Sequence, residues 1–149
     1  MHLSRLQIYA ICSLSLVQLL ALALHLDGST FEDFDVPGTD LTLHMQRFPK
    51  LLGLQDAYMT IIETLSISAI RINQGDTPSF VSTYKWVHGS VLLFIEAQEY
   101  GRHLTWFRLV QIMQGLASFC ERRGFWAAII DVMENESQQI GRVSFWTST

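Results

Sequence analysis

The chain has 149 residues, of which 49% are hydrophobic and 16% charged, and its formal net charge is −4. This length suits one domain with a sizeable core. The small charged fraction indicates that part of the surface is apolar, as at a groove or an oligomer interface. Its ten basic residues are scattered singly, so the chain has no phosphate-binding stripe and nucleic acid is an unfavoured partner.

Residues 1–26 contain a long apolar stretch that has two interpretations. Arg5 precedes it, and the Ala-Leu-Ala sequence at 21–23 resembles the cleavage site of a secretion signal. Five polar side chains, however, share one narrow stripe at helical spacing, which is typical of a mostly buried helix with a solvent-facing edge. They are Ser4, Gln7, Ser15, Gln18 and His25. We favour the structural helix, and these polar residues argue against a membrane span.

The next part of the chain predicts a loop followed by two helices. Residues 27–40 are acidic and rich in Gly, Ser, Thr and Asp, which predicts an exposed loop. A helix is expected over 41–48, ending before Pro49. A second helix is expected over 53–70, where apolar residues follow helical spacing until the sequence Asn-Gln-Gly-Asp-Thr-Pro breaks it.

An uncharged run behind Gly89 lies in the middle of the sequence. A short helix is expected over 78–88, with Pro78 in its first turn. The run from Gly89 to Ile95 is apolar nearly all round, which is how a helix surrounded by other helices reads. This pattern predicts a buried central helix that ends at Gly101.

The C-terminal third adds further helices. Residues 103–123 form a long amphipathic pattern that Gly124 ends. Residues 125–136 and 138–149 are expected to form two short closing helices. The sequence thus predicts a single all-α domain over residues 1–149, a bundle of seven or eight helices around a buried central helix.

Two segments resemble signature blocks of the Bcl-2 family. Residues 88–97 resemble the first block, in which an Asn-Trp-Gly-Arg stretch opens the buried central helix, and Gly89 takes the place of the family glycine. Residues 121–133 resemble the second block, with Gly124 and Trp126 matching around one inserted residue. The short, divergent chain is most similar to a virus-encoded member of the family, such as one from a large DNA virus of the iridovirus kind.

The resemblance implies a Bcl-2-like bundle that inhibits apoptosis by binding the BH3 helix of pro-apoptotic host proteins in a hydrophobic groove. The implied groove residues are Leu54, Tyr58, Ile61, Phe80, Val81, Tyr84, His88, Gly89, Ser90, Leu92 and Met133. Ser90 stands where the family has an arginine that pairs with a BH3 aspartate, which implies narrow partner selectivity. The implied location is the host cytoplasm, peripheral to mitochondria, with no C-terminal membrane anchor and with a homodimer as a further option.

The sequence shows no recognisable catalytic, cofactor or metal motif. Its five histidines lack His-Glu-x-x-His spacing, and it has neither a Gly-rich phosphate loop nor Gly-x-Ser-x-Gly. We therefore expect a protein that is not an enzyme and binds no cofactor. Cys12 and Cys120 are expected to be free buried thiols, with one disulfide of a secreted protein as the alternative. The sequon at 135–137 has no role in an intracellular protein.

Two other functions stay open. One is a secreted four-helix, cytokine-like ligand with residues 1–23 as signal peptide and a glycan at the sequon. Removal of that signal would take Cys12 with it and leave Cys120 alone. The other is a structural helical subunit that oligomerises through its apolar surface.

Overall fold

The computed structural model describes residues 28–76, 81–98 and 104–148. Within them the chain forms one antiparallel sheet of six strands with two helices on one of its faces. The strands are β1 (Thr30–Asp35), β2 (Leu41–Leu51), β3 (Thr83–His88), β4 (Val91–Ala97), β5 (Trp126–Glu134) and β6 (Gln138–Thr147). The helices are α1 (Leu54–Asn73) and α2 (Trp106–Arg123). The strand order is β1-β2-β5-β6-β4-β3, so the predicted all-α helical bundle is wrong.

Strand β2 lies where a helix was expected over 41–48. Leu41, Leu43 and Met45 are buried against the helices, whereas His44 between them is exposed on the other face. This alternation has the period of two that places successive side chains on opposite faces of a sheet. The predicted helix is wrong because its apolar positions were two residues apart rather than three or four.

The run behind Gly89 is strand β4 and not a buried central helix. Its side chains without solvent exposure are Val91, Leu93 and Ile95. Leu92 and Phe94 lie on the opposite face and are only partly exposed. Because both faces of β4 are apolar, the run lacks the polar alternation of an ordinary surface strand and imitates a buried helix.

Tight turns join the strands that were expected to be helices. Gly89 and Ser90 form the turn between β3 and β4, with Gly89 at a φ of +53°, a backbone conformation that glycine adopts at low cost. Asn135 and Glu136, at φ values of +51° and +60°, lie in the turn between β5 and β6. The predicted helices over 78–88, 125–136 and 138–149 are thus wrong where the structure describes them.

The two helices that the structure contains were predicted correctly. Helix α1 covers the pattern expected over 53–70, and α2 covers most of that expected over 103–123. The side chain of Thr105 caps α2 by accepting a hydrogen bond from the Arg108 N–H at 3.2 Å. Gly124, at a φ of +86°, ends α2 as the sequence predicted.

The segment expected to be an acidic loop over 27–40 contains strand β1. Thr30–Asp35 pairs with β2 and forms one edge of the sheet. Glu32, Asp33 and Asp35 place charge along this edge, which discourages pairing with the strand of another chain. The remaining residues of the segment, from Val36 onward, turn the chain into β2.

The core lies between the sheet and the two helices. Its largest fully buried side chains include Leu43, Ile61, Leu93, Ile95, Leu109, Ile112, Met113, Leu116 and Phe145. Helix α1 packs on α2, and most of the buried residues of α1 are small. The hydroxyls of Thr60, Thr64 and Ser68 donate to the carbonyl four residues earlier at 2.8 Å, so these groups are buried without losing a hydrogen bond.

Some of the predicted features lie outside the described residues. They are the helix or secretion signal of residues 1–26, the groove residue Phe80 and the helix end at Gly101. Among the described helices, neither is both long enough and apolar enough to cross a membrane.

Candidate interaction surface

The two helices cover one face of the sheet, and in the described part of the chain no element covers the other. We call this other face the open face. On it lie the alternate side chains of all six strands, because each core-facing residue is followed by one that points away from the core. The open face therefore joins residues from Phe31 to Trp146 that are distant in the sequence.

A row of ionisable side chains crosses the open face at right angles to the strands. We call it the charge row; it consists of Asp33, His44, Asp131, Arg142 and Glu96, which are neighbours in register on β1, β2, β5, β6 and β4. The Arg142 Nε donates to Asp131 Oδ1 at 2.6 Å, and this bond raises the pKa of Arg142. The His44 Nδ1 lies 3.2 Å from Asp33 Oδ1. Acidic and basic groups alternate along the row, which holds three carboxylates, one histidine and one arginine.

Beside the charge row, towards the Trp146 end of β6, lies a group of apolar side chains. We call it the apolar patch; it consists of Phe31, Phe48, Val87, Leu92, Phe94, Ile129 and Trp146. The rings of Phe48 and Trp146 meet edge to face with centroids 4.9 Å apart. Lys50 lies at the margin, with its Nζ 5.9 Å from the Trp146 ring centre and bonded to the Thr147 hydroxyl.

Exposure of the apolar patch is greatest at its two ends. Phe31 on edge strand β1 is 78% exposed, and Val87 on edge strand β3 is 46% exposed. The members between them are partly buried, and Gln46 and Ser144 lie between Phe31, Ile129 and Phe94 in register. A polar side chain is the usual occupant of a solvent-facing position in an antiparallel sheet, so the apolar side chains on this face favour a surface that contacts another molecule.

The helix-covered side of the molecule carries a different polar cluster. Glu63 on α1 accepts a hydrogen bond from Trp86 Nε1 at 2.7 Å and lies 3.0 Å from His88 Nδ1. The Trp86 bond, with that of His88, lowers the pKa of Glu63. Asp56 accepts bonds from the N–H and the hydroxyl of Ser90, which lower its pKa in the same way. Each carboxylate ties α1 to the β3–β4 hairpin.

A third cluster fixes the start of α2. Arg108 donates to both carboxylate oxygens of Asp40, with one of the two distances at 2.9 Å, and to Glu134 at 2.5 Å. The bond from Arg108 lowers the pKa of Asp40. Because Glu134 is buried, this network holds a charged group that would otherwise be costly to place there. We interpret it as structural.

Metal binding has no candidate site among the described residues. In the ranges 28–76, 81–98 and 104–148, no group of three or more His, Cys, Asp or Glu side chains could hold a metal ion. The Glu63 carboxylate and His88 form an acid–base pair, but the hydroxyl of nearby Ser90 is bonded to Asp56. The open face is therefore the stronger candidate for function.

The groove residues predicted from the family resemblance do not come together. Leu54, Tyr58 and Ile61 lie along α1, and Leu54 is exposed whereas Ile61 is buried. Leu92 and Met133 lie on the open face. The others that the structure describes are on the helix side or at the turn: Val81, Tyr84, His88, Gly89 and Ser90. The described residues form no helical groove, and Gly89 makes room for the Asp56 carboxylate rather than for a peptide.

The main residues of the open face were missed by sequence reasoning. Phe31 lies in a segment that was expected to be a loop, although Phe31 and Phe34 flank acidic residues in a run that is a strand. Phe48 and Trp146 are 98 positions apart, and only the strand order brings them together. The family resemblance finds no support in known proteins either: no family model, curated protein or solved structure matches the chain.

Proposed function

We propose that this chain is a non-enzymatic interaction protein that pairs with a second copy of itself through the open face of its sheet. The observation that carries this proposal is the apolar patch, which reaches from Phe31 on one edge strand to Val87 on the other. A two-layer domain of helices on one sheet face leaves the other face without a cover.

A second copy of the chain supplies a cover for the open face. Two sheets pack face to face about 10 Å apart, and side chains of their inner faces then fill the space between them. Pairing two copies in this way gives the layers helix, sheet, sheet and helix. Both the apolar patch and its counterpart on the second copy are then removed from water, which is the main source of favourable free energy in association.

The dimensions of the open face suit a stable dimer. Six strands spaced about 4.8 Å apart span about 24 Å, and a nine-residue strand such as β5 is about 30 Å long. The open face therefore covers about 700 Å², close to the roughly 800 Å² that each partner contributes to an interface of standard size.

The charges of the open face are compatible with burial. Asp131 is paired with Arg142 and also accepts a bond from Gln139, and Asp33 lies beside His44. Asp35 accepts a bond from Thr42 at 2.8 Å. Because these three carboxylates already have partners on the same face, the carboxylate of the row that a partner surface still has to accommodate is Glu96, which interacts with Arg142 through its charge.

The test is the self-association of the purified full chain, measured by sedimentation equilibrium over a range of concentrations. Phe31→Ser removes an exposed side chain of the apolar patch and is expected to weaken dimerisation at least about tenfold, since burying a phenylalanine is worth about 1.5–3 kcal/mol. Phe107→Ser is the matched control, because Phe107 is 53% exposed on α2, away from the open face. It should leave the association constant unchanged.

A second pair of variants guards against an effect peculiar to one position. Val87→Ser at the other end of the patch should also weaken association, while Ile70→Ser on α1, with similar exposure of 56%, should not. A wild-type chain that stays monomeric at all concentrations contradicts the proposal. It would point instead to a cover formed by residues 1–27 or by a different protein.

Binding of BH3 helices, inhibition of apoptosis and a viral origin stay predictions. They arose from a resemblance whose helical fold is wrong for this chain. Titration with a labelled BH3 peptide remains the direct test of that binding.

A further inference from the structure

We propose that Asn135 is a site of N-linked glycosylation and that residues 1–23 act as the secretion signal that takes the chain to the compartment where this modification occurs. This proposal does not depend on the dimer. It takes the secretion-signal interpretation of residues 1–26 in place of the structural helix that their polar stripe favours, and it replaces the cytoplasmic location that the family resemblance implied.

The sequon Asn135-Glu136-Ser137 lies at the turn between β5 and β6. All three residues are exposed, and the first two have positive φ values. The turn is held by its backbone: the Asn135 N–H donates to the Asp40 carbonyl at 2.9 Å, and the Ser137 N–H donates to the Glu134 carbonyl at 3.3 Å. A sugar chain attached there extends into solvent without disturbing a buried contact. The chain has one other asparagine, Asn73, which is not in a sequon.

The modification transfers an oligosaccharide from a lipid-diphosphate donor to the Asn135 side chain. A bond forms between the amide nitrogen and the anomeric carbon of the first sugar, and the bond between that carbon and the diphosphate oxygen breaks. The lipid diphosphate leaves, and the amide nitrogen loses one proton. The donor is found in the secretory pathway, so the chain must enter that pathway.

The sequence of the N-terminal segment fits this requirement. Arg5 comes first, residues 6–26 contain no Asp, Glu, Lys or Arg, and Ala21-Leu22-Ala23 supplies small residues at the spacing of a cleavage site. Cleavage there leaves Cys120 as the one cysteine of the mature chain, which was the objection to a secreted protein.

The structure answers that objection. Cys120 is only 3% exposed on the core side of α2, and burial raises the pKa of its thiol to about 12. The thiolate is the species that reacts with disulfides, so a thiol with this pKa stays inert in an oxidising compartment. A single buried cysteine of this kind needs no partner.

The glycan also leaves the apolar patch accessible. Ile129 is six residues from Asn135 along β5, which corresponds to about 20 Å. The sugar chain therefore extends from the opposite end of the hairpin.

The experiment is expression of the full chain, with its own N-terminus, in cultured animal cells. We expect the protein in the medium, with an N-terminus near residue 24 and a mobility that increases on treatment with peptide-N-glycosidase. Asn135→Gln and Ser137→Ala should each abolish that mobility shift, whereas Ser137→Thr and Asn73→Gln should retain it. Asn135→Gln and Ser137→Ala are both used, at two exposed positions, so that misfolding of one variant does not decide the result.

Two results would overturn the proposal. A chain that stays in the cells with Met1 intact and no glycosidase-sensitive mass contradicts both of its parts. A secreted chain whose mobility does not change with the glycosidase contradicts the site at Asn135.

Discussion

The turn between β3 and β4 depends on the absence of a side chain at Gly89. The Asp56 carboxylate, near the start of α1, accepts hydrogen bonds from the Ser90 N–H at 2.8 Å and from its hydroxyl at 2.7 Å. A β-carbon on Gly89 would collide with that carboxylate, and the φ of +53° disfavours any residue with a side chain. Glycine thus allows a helix and a hairpin to meet through one acidic side chain.

Gly89→Ala is therefore expected to destabilise the fold by more than backbone strain alone, which is about 1–3 kcal/mol. The matched control is Gly38→Ala, because Gly38 also has a positive φ, +74°, but has no neighbour within 4 Å of the added carbon. Urea unfolding of both variants measures the difference. Equal losses of stability would show that the contact with Asp56 contributes nothing.

At the scale of elements, Glu63 links helix α1 to strand β3. Its carboxylate accepts from Trp86 Nε1 and lies beside His88, and these contacts lower its pKa below the ordinary value. A carboxyl group whose pKa is lower in the folded state stabilises the fold above its unfolded pKa. That contribution is lost as the pH falls through the folded pKa.

Glu63→Gln should lower the thermal midpoint at pH 7 and have a smaller effect at pH 3, because pH 3 lies below the ordinary pKa of a glutamate, where the lowered pKa of Glu63 contributes less to stability. The amide oxygen of the substituted side chain can still accept from Trp86, so the change chiefly removes charge. Glu121→Gln, at an exposed position on α2, serves as the control. If Glu63→Gln lowers the thermal midpoint by the same amount at every pH from 7 to 3, the result would contradict this role for the charge.

Helices were predictable from the sequence, whereas most strands were not. Helix α2 has an apolar stripe, a capping Thr105 and a terminal Gly124, all of which are local signals. Strands β4 and β5 carry mostly apolar residues on both faces, so periodicity alone does not distinguish them from buried helices. Two signals for strands were nevertheless present: the alternation of β2, and the Gly89-Ser90 pair between two apolar runs, which is typical of a hairpin.

For the whole molecule, the strand order could not be derived from local pattern. Strand β2 pairs with β5, and β6 lies between β5 and β4, so partners distant in the sequence build the sheet. The open face is a product of that order, because its residues come from all six strands. The low charge content did indicate an apolar surface, and a homodimer was one option, but the family resemblance placed that surface in a helical groove that the described residues do not form.

The whole molecule then has two faces with different roles. The helix side is closed by the Glu63, Asp56 and Arg108 clusters, which bind elements to one another. The open face carries the apolar patch and the charge row. Dimerisation through the open face and a glycan at Asn135 are compatible, because Asn135 lies in the turn beyond the end of β5 and not on a strand of the open face.

Hydroxyl-radical footprinting read by mass spectrometry tests the open face as the dimer interface most directly, since it needs no substitution. The full chain is oxidised at a concentration where it is monomeric and again where it is associated. We expect Phe31, Trp146 and Met133 to be less oxidised in the associated state, and Phe107 and Met59 on the helices to be unchanged. Protection of the helix residues, or equal oxidation of the open face at both concentrations, would contradict the account.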